Sequence, residues 1–193
     1  MTIEVRPLGV ACNLACQYCY QNPQRDAGNL NHRYDIEAMK AAVLAEGGPF
    51  TLFGGEPLML PDADLEHLFA WGLEQFGGSV VQTNGTLLTD AHIRMFQDYK
   101  VHVGISVDGP GALNDVRWAG SIEKTRRATE QSHAAIERLV AAGIVPGLIV
   151  TLHRGNATSD KLPVMHDWFR YLDEIGIISA RLHLLEVENA FIQ

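Results

Sequence analysis

Residues 79–110 read SVVQTNGTLLTDAHIRMFQDYKVHVGISVDGP, and their pattern decides the fold class. SVVQT (79–83) is a short β-branched run, and Thr89 stands where a helix needs an N-cap, opening a helix that runs to about Tyr99. VHVGISV (101–107) then resumes a strand. Strand, helix and strand in about 30 residues form a crossover unit, so the two strands run parallel. Each strand also ends in polar, turn-forming residues, QTNG in one case and SVDGP in the other.

The same alternation extends outward in both directions. Upstream lie a strand at 3–10 (IEVRPLGV, with Pro7 near its end), a long loop at 11–34, a helix at 35–48 and a buried strand at 50–53. In the 35–48 helix Asp35 is the N-cap, Ile36, Met39 and Val43 share a face, and Gly47 is the stop. A helix at 62–78 follows, with Leu65, Leu68, Phe69, Leu73 and Phe76 on one stripe. Downstream come a polar loop from Gly109, a helix at 129–143, a strand at 145–152, a helix at 159–176 and a strand at 178–187. Six strands separated by five helices predict an α/β fold with a parallel sheet. The options are a partial (β/α)6 TIM-like barrel, with helices outside, or a doubly wound sheet. In both, ligands sit at the C-terminal ends of the strands.

Those strand ends carry the unusual chemistry. GGEP (54–57), QTNG (82–85) and SVDGP (106–110) follow the second, third and fourth strands, and the loop after the first holds every cysteine of the chain, Cys12, Cys16 and Cys19. So long a loop inside a compact domain is usually functional. The spacing is C-x3-C-x2-C. A structural zinc site generally takes four ligands in two pairs, and here only His32 stands near as a fourth. Three thiolates suit an iron–sulfur cluster with one iron left open. Spacing favours the cluster and leaves zinc, or no metal, open. The eight histidines show no metal-ligand spacing, and nothing matches a phosphate-binding loop, a dinucleotide fingerprint or a serine nucleophile elbow.

Composition limits the partners. The chain has 193 residues, 47% hydrophobic and 20% charged, with a net charge of −8. That balance suits one soluble globular domain and makes a nucleic-acid partner a poor expectation. No apolar run approaches the roughly 20 residues that span a bilayer, and Met1 leads directly into a strand-like pattern without a signal segment. The expectation is a cytoplasmic protein with reduced thiols and neither membrane nor nucleic-acid partners.

CNLACQYCY (12–20) resembles the signature of the radical S-adenosylmethionine (radical SAM) superfamily, including the aromatic Tyr18 before the third cysteine. With FGGEP, QTNG and SVDGP in that order, the chain is similar to the anaerobic sulfatase-maturating enzymes and related peptide maturases, which often carry a cysteine-rich SPASM extension. The resemblance implies that Cys12, Cys16 and Cys19 ligate a [4Fe–4S] cluster whose open iron chelates the methionine part of SAM. It implies that Tyr18 lies beside the adenine, that backbone at Gly54 and Gly55 approaches the methionine, and that Glu56 meets its ammonium group. Ser106 and Asp108 would reach the carboxylate and ribose, Gln82 and Asn84 would face the cavity, and Arg117, with Arg126 and Arg127 as rivals, would bind a carboxylate. Leu185, with Leu184, would flank the adenine. Without the resemblance, Glu56 reads as an acid in a first helical turn, SVDGP and Asn84 as turn residues, and the two leucines as core.

The implied activity is reductive cleavage of SAM followed by hydrogen abstraction from a residue in a peptide or protein substrate. An external one-electron donor of flavodoxin or ferredoxin type would feed it. The alternatives are a glycyl-radical-enzyme activase, another radical SAM enzyme acting on a small molecule, and a non-catalytic zinc or redox module. Residues 1–193 are expected to be one radical SAM core domain without the auxiliary-cluster extension, and the stop after ENAFIQ suggests the core portion of a longer protein.

Overall fold

In the computed structural model, residues 2–28 and 33–185 are described. The elements run β1 (Ile3–Val5), α1 (Asn22–Asp26), α2 (Ile36–Glu46), β2 (Phe50–Leu52), α3 (Asp62–Phe76), β3 (Ser79–Thr83), α4 (Asp90–Asp98), β4 (Val101–Ser106), α5 (Ile122–Ala141), β5 (Gly147–Leu152), α6 (Leu162–Glu174) and β6 (Ala180–Leu184). Short 3-10 turns lie at Pro57–Met59 and Gly111–Asn114. The six strands form one sheet in sequence order, and the registered pairs β1–β2, β2–β3 and β5–β6 are parallel. Residues 79–110 hold β3, α4 and β4 in turn, as the strand, helix and strand reading expects.

The chain divides into two compact units. The first comprises residues 1–13, 23–83 and 87–104. Its core is built on Phe50, Leu52, Leu65, Leu68, Phe69, Val81 and Phe96, all at most 2% exposed. The helices start and stop where their side chains dictate. The Asp35 carboxylate accepts the Ala38 N–H, and Gly47 closes α2 with a left-handed φ of 72°. Thr89 and His92 cap each other across the first turn of α4, each side chain accepting the other's backbone N–H. On α3 the buried face is Leu65, Leu68, Phe69, Trp71 and Gly72 rather than a stripe continuing to Leu73 and Phe76. At the buried Gly72 a Cβ would press on Ser79 and the Phe50 ring, at 3.0 and 3.1 Å.

The second unit comprises residues 14–22, 84–86 and 105–193, with a core that includes Ile105, Ile136, Leu139, Leu148 and Val150. Here α5 begins seven residues before the expected start at 129. Ser121 caps it by accepting the Lys124 N–H. Its buried face includes Thr125, Thr129 and Ser132, whose hydroxyls donate back to the carbonyls of Ser121, Thr125 and Ala128. Those local bonds satisfy the polar groups in the core while hiding the apolar period from the sequence. β6 pairs with β5 along its whole length, from Leu148↔Ala180 to Leu152↔Leu184. The expected strand at 178–187 is shorter, and its last two positions lie outside the described residues.

The first strand also ends early, at Val5 rather than 10. Pro7 has no N–H for a ladder, and the following residues turn, with Gly9 donating to the Arg6 carbonyl and Ala11 to that of Leu8. Among the described residues no helix is long and apolar enough to cross a membrane.

Candidate functional site

In the first unit the site residues gather around the turn after β2. Gly54 and Gly55 both adopt positive φ, 75° and 57°. The two differ in what surrounds them. A Cβ on Gly54 would meet the Arg6 side chain at 2.5 Å, whereas one on Gly55 would stand 1.9 Å from the Ala11 carbonyl oxygen. The close approach is used, because the Glu56 N–H donates to that same Ala11 oxygen at 2.9 Å. The GGEP turn thereby clasps the residue before Cys12. Glu56 is 1% exposed. Its carboxylate accepts the Leu58 N–H at 3.0 Å and the Thr83 hydroxyl, so it caps the 3-10 turn at Pro57–Met59 and ties it to the end of β3. Gln82 lies against Gly104, where a Cβ would be 2.0 Å from its Oε1.

In the second unit the segment carrying Cys16 and Cys19 is tied to the chain after the 3-10 turn at Gly111–Asn114. Ala15 N–H donates to the Trp118 carbonyl at 2.7 Å, and Gln17 N–H to that of Val116 at 2.8 Å. Tyr18 carries the side-chain link. Its hydroxyl donates to the Asp108 carboxylate and accepts from Arg117 Nη1 at 2.9 Å. Asp108 is fully buried, and every polar group it has is engaged. Its carboxylate also accepts the Thr151 N–H, its own N–H donates to Asn114 Oδ1, and its carbonyl accepts from Asn156 Nδ2, at 2.8, 2.8 and 2.7 Å. Asn114 and Asn156 are thus parts of the site that sequence reasoning missed. Neither belongs to a recognisable motif, and only their contacts mark them.

Charge at this point is held by the surroundings. Burial pushes the Tyr18 phenol well above its ordinary pKa, against the pull of Arg117 and together with Asp108, so it stays a neutral donor. For Arg117 burial opposes the charge, but Cys16, Tyr18 and Asp108 outweigh it and the guanidinium stays cationic. Arg117 is 9% exposed and stands 4.0 Å from Asp108. Of its rivals, Arg126 is committed to a two-point pair with Asp115, and Arg127 is exposed.

The remaining expected residues are placed as follows. Ser106 is half-buried at the end of β4, and Asn84 is buried with its side-chain oxygen accepting both the N–H and the hydroxyl of Thr86. That pattern is a turn-making one. Leu185 is half-buried and donates its N–H to the Leu152 carbonyl. Leu184, by contrast, is 77% exposed, so it is not core. His153, set aside in the sequence with the other histidines, sits beside the Tyr18 ring with centroids 6.0 Å apart. Its Nδ1 accepts the Gly155 N–H, and its Nε2 is buried with no hydrogen-bond partner among the described residues. Burial lowers its pKa against the influence of Asp108.

The donor chemistry fits the cofactors that the motif implies. All three cysteines carry thiols rather than a disulfide. Among the described residues no three His, Cys, Asp or Glu side chains are gathered closely enough to hold a single metal ion.

Residues 7–160 match the model of the Radical SAM superfamily. The chain belongs to that superfamily. It is similar to a serine-type anaerobic sulfatase-maturating enzyme of Bacteroides thetaiotaomicron, 33% identical over 58% of this chain and 30% of that protein. It is also similar to an Fe-coproporphyrin III synthase of Methanosarcina barkeri, 30% identical over 81% of this chain and 38% of that protein. A solved structure described as native anSMEcpe with bound AdoMet and Cp18Cys peptide superposes with a TM-score of 0.76 at 18% identity, covering 98% of this chain and 54% of its own. That likeness shows the fold, the open (β/α)6 barrel of this superfamily rather than the doubly wound sheet. The chain spans about a third to a half of the length of the relatives it matches.

Proposed function

We propose that this radical SAM chain binds a [4Fe–4S] cluster through Cys12, Cys16 and Cys19 together with SAM, and modifies a residue within a peptide or protein substrate. The observation that carries the reading is Arg117. It is a cation about nine-tenths buried, and the one hydrogen bond of its side chain among the described residues goes to Tyr18, between two of the cysteines. A guanidinium so placed has donors left for an anion such as the SAM carboxylate. When a reduced cluster and SAM are bound, the chemistry supplied is one-electron reductive cleavage of SAM and hydrogen-atom abstraction from the substrate.

The chain's own residues bind and orient. The turn at Gly54 and Gly55 offers its backbone to the methionine part, and Glu56 supplies a buried carboxylate for its ammonium group. Ser106 and Arg117 take the carboxylate and ribose side. Asp108 acts there through the Tyr18 and Arg117 groups it holds, since both its oxygens already accept protein hydrogen bonds. Gln82, Asn84 and Leu185 complete the lining, and the Tyr18 ring supplies a flat face for adenine. Similarity to the sulfatase-maturating enzymes supports a peptide substrate, and an external flavodoxin- or ferredoxin-type donor would provide the electron. Similarity to the Fe-coproporphyrin III synthase favours a second reading, a small-molecule substrate.

The test is product analysis. The chain, reconstituted with iron and sulfide without oxygen and reduced with dithionite, is expected to convert SAM into 5′-deoxyadenosine and methionine in equal amounts, read by mass spectrometry. Absence of both products from protein that has bound iron would overturn the enzyme reading.

A further inference from the structure

We propose that the Tyr18 hydroxyl is a positioning group: it presets the segment carrying Cys16 and Cys19 before any cluster binds, and it keeps the Arg117 charge off Asp108. The proposal rests on the cluster reading above. An aromatic ring before the third cysteine needs no hydroxyl to present a flat face, and phenylalanine would serve. The hydroxyl here does separate work. It joins Asp108, 90 residues away in sequence, to the cysteine segment.

Asp108 is a fixed point. It is fully buried and held by Thr151, Asn114 and Asn156, and Asn156 also donates to the Thr151 carbonyl and accepts the His153 N–H. The segment it holds is also tied by backbone bonds, from Ala15 to Trp118, from Gln17 to Val116, and from Cys19 back to Cys16, and by the nearby Asn22 amide, which donates to the Cys16 and Gln17 carbonyls. Tyr18 supplies the side-chain bond that connects this segment to the ends of β4 and β5.

The same oxygen separates two charges. Arg117 Nη1 and Asp108 Oδ2 are 4.0 Å apart, and the phenol oxygen bonds to both. A direct guanidinium–carboxylate contact is shorter, about 2.7–2.9 Å. Without the hydroxyl, a buried carboxylate loses a donor while a buried cation stands within reach, and the gap closes. The guanidinium then pairs with Asp108 and its charge is neutralised there. A positive charge near a cluster favours the added electron, and its neutralisation lowers the reduction potential.

The test compares the full chain with Tyr18→Phe and Arg117→Gln. In iron-free protein, hydrogen exchange followed by mass spectrometry reads the amides of residues 14–20. Tyr18→Phe is expected to speed exchange there by about tenfold, the scale of one lost hydrogen bond to a charged group. Arg117→Gln, which leaves the phenol–carboxylate bond, should not. After reconstitution, redox titration followed by EPR should place the cluster potential of both variants below that of the parent. Unchanged exchange in Tyr18→Phe overturns the tether, and an unchanged potential in Tyr18→Phe overturns the charge role. If no variant or parent binds iron, the cluster reading itself fails, while the exchange result still decides the tether.

Discussion

Replacing Cys16 by alanine is expected to abolish cluster binding and leave the chain folded. The backbone bonds that shape its segment, from Ala15 to Trp118 and from Gln17 to Val116, do not involve the thiol. The side chain is only half-buried, so truncation removes little core. Iron binding, in contrast, depends on all three thiolates, because two cannot hold a cluster that already leaves one iron open. The parent chain should retain about four irons after reconstitution. Cys16→Ala, and equally Cys12→Ala or Cys19→Ala, should retain almost none and lose the visible absorption of the cluster, with an unchanged far-UV circular dichroism spectrum. Full iron in any one of them contradicts the ligand assignment.

A comparably large effect is expected from a single methyl group at Gly55, and its neighbour provides the control. Both glycines have left-handed φ, which costs an alanine about 1–2 kcal/mol. At Gly54 the added Cβ meets Cγ and Cδ of the Arg6 side chain at 2.5 Å, and a side chain can change rotamer. At Gly55 it would stand 1.9 Å from the Ala11 carbonyl oxygen and 2.7 Å from its carbon, and backbone cannot rotate aside. That contact also carries the Glu56 N–H bond. Gly55→Ala should therefore lose about 3 kcal/mol or more in urea denaturation and take up iron poorly, because Ala11 precedes Cys12. Gly54→Ala should lose about half as much and still load. Equal losses would mean that backbone conformation alone, and not the approach to Ala11, sets the need for glycine at 55.

Much of the fold was legible because local period and punctuation agreed. Residues 79–110 read as strand, helix and strand, and the structure places β3, α4 and β4 there with Thr89 as the cap. Misreadings arose where local chemistry masked the period. The start of α5 was hidden by buried threonines and a serine that bond back to their own helix. Leu8 and Val10 look strand-like in the sequence, whereas Pro7 and the turns behind it end the ladder at Val5. In the site, the cysteines and the glycine-rich strand ends stood out by composition. Contacts between residues far apart in sequence did not. Nothing in CQYCY says that the Tyr18 hydroxyl binds Asp108, and nothing in LHRGN says that Asn156 anchors the same aspartate. Such pairs are set by the tertiary fold and become visible only once the strand ends are placed.

The most direct measurement is EPR of the dithionite-reduced, reconstituted chain, recorded with and without SAM. A reduced [4Fe–4S] signal whose g values shift when SAM is added is the predicted result, since it requires an iron left open by the three cysteines. A cluster spectrum indifferent to SAM, or a protein that takes up zinc in place of iron, would contradict it and leave the cysteine loop as a structural metal site.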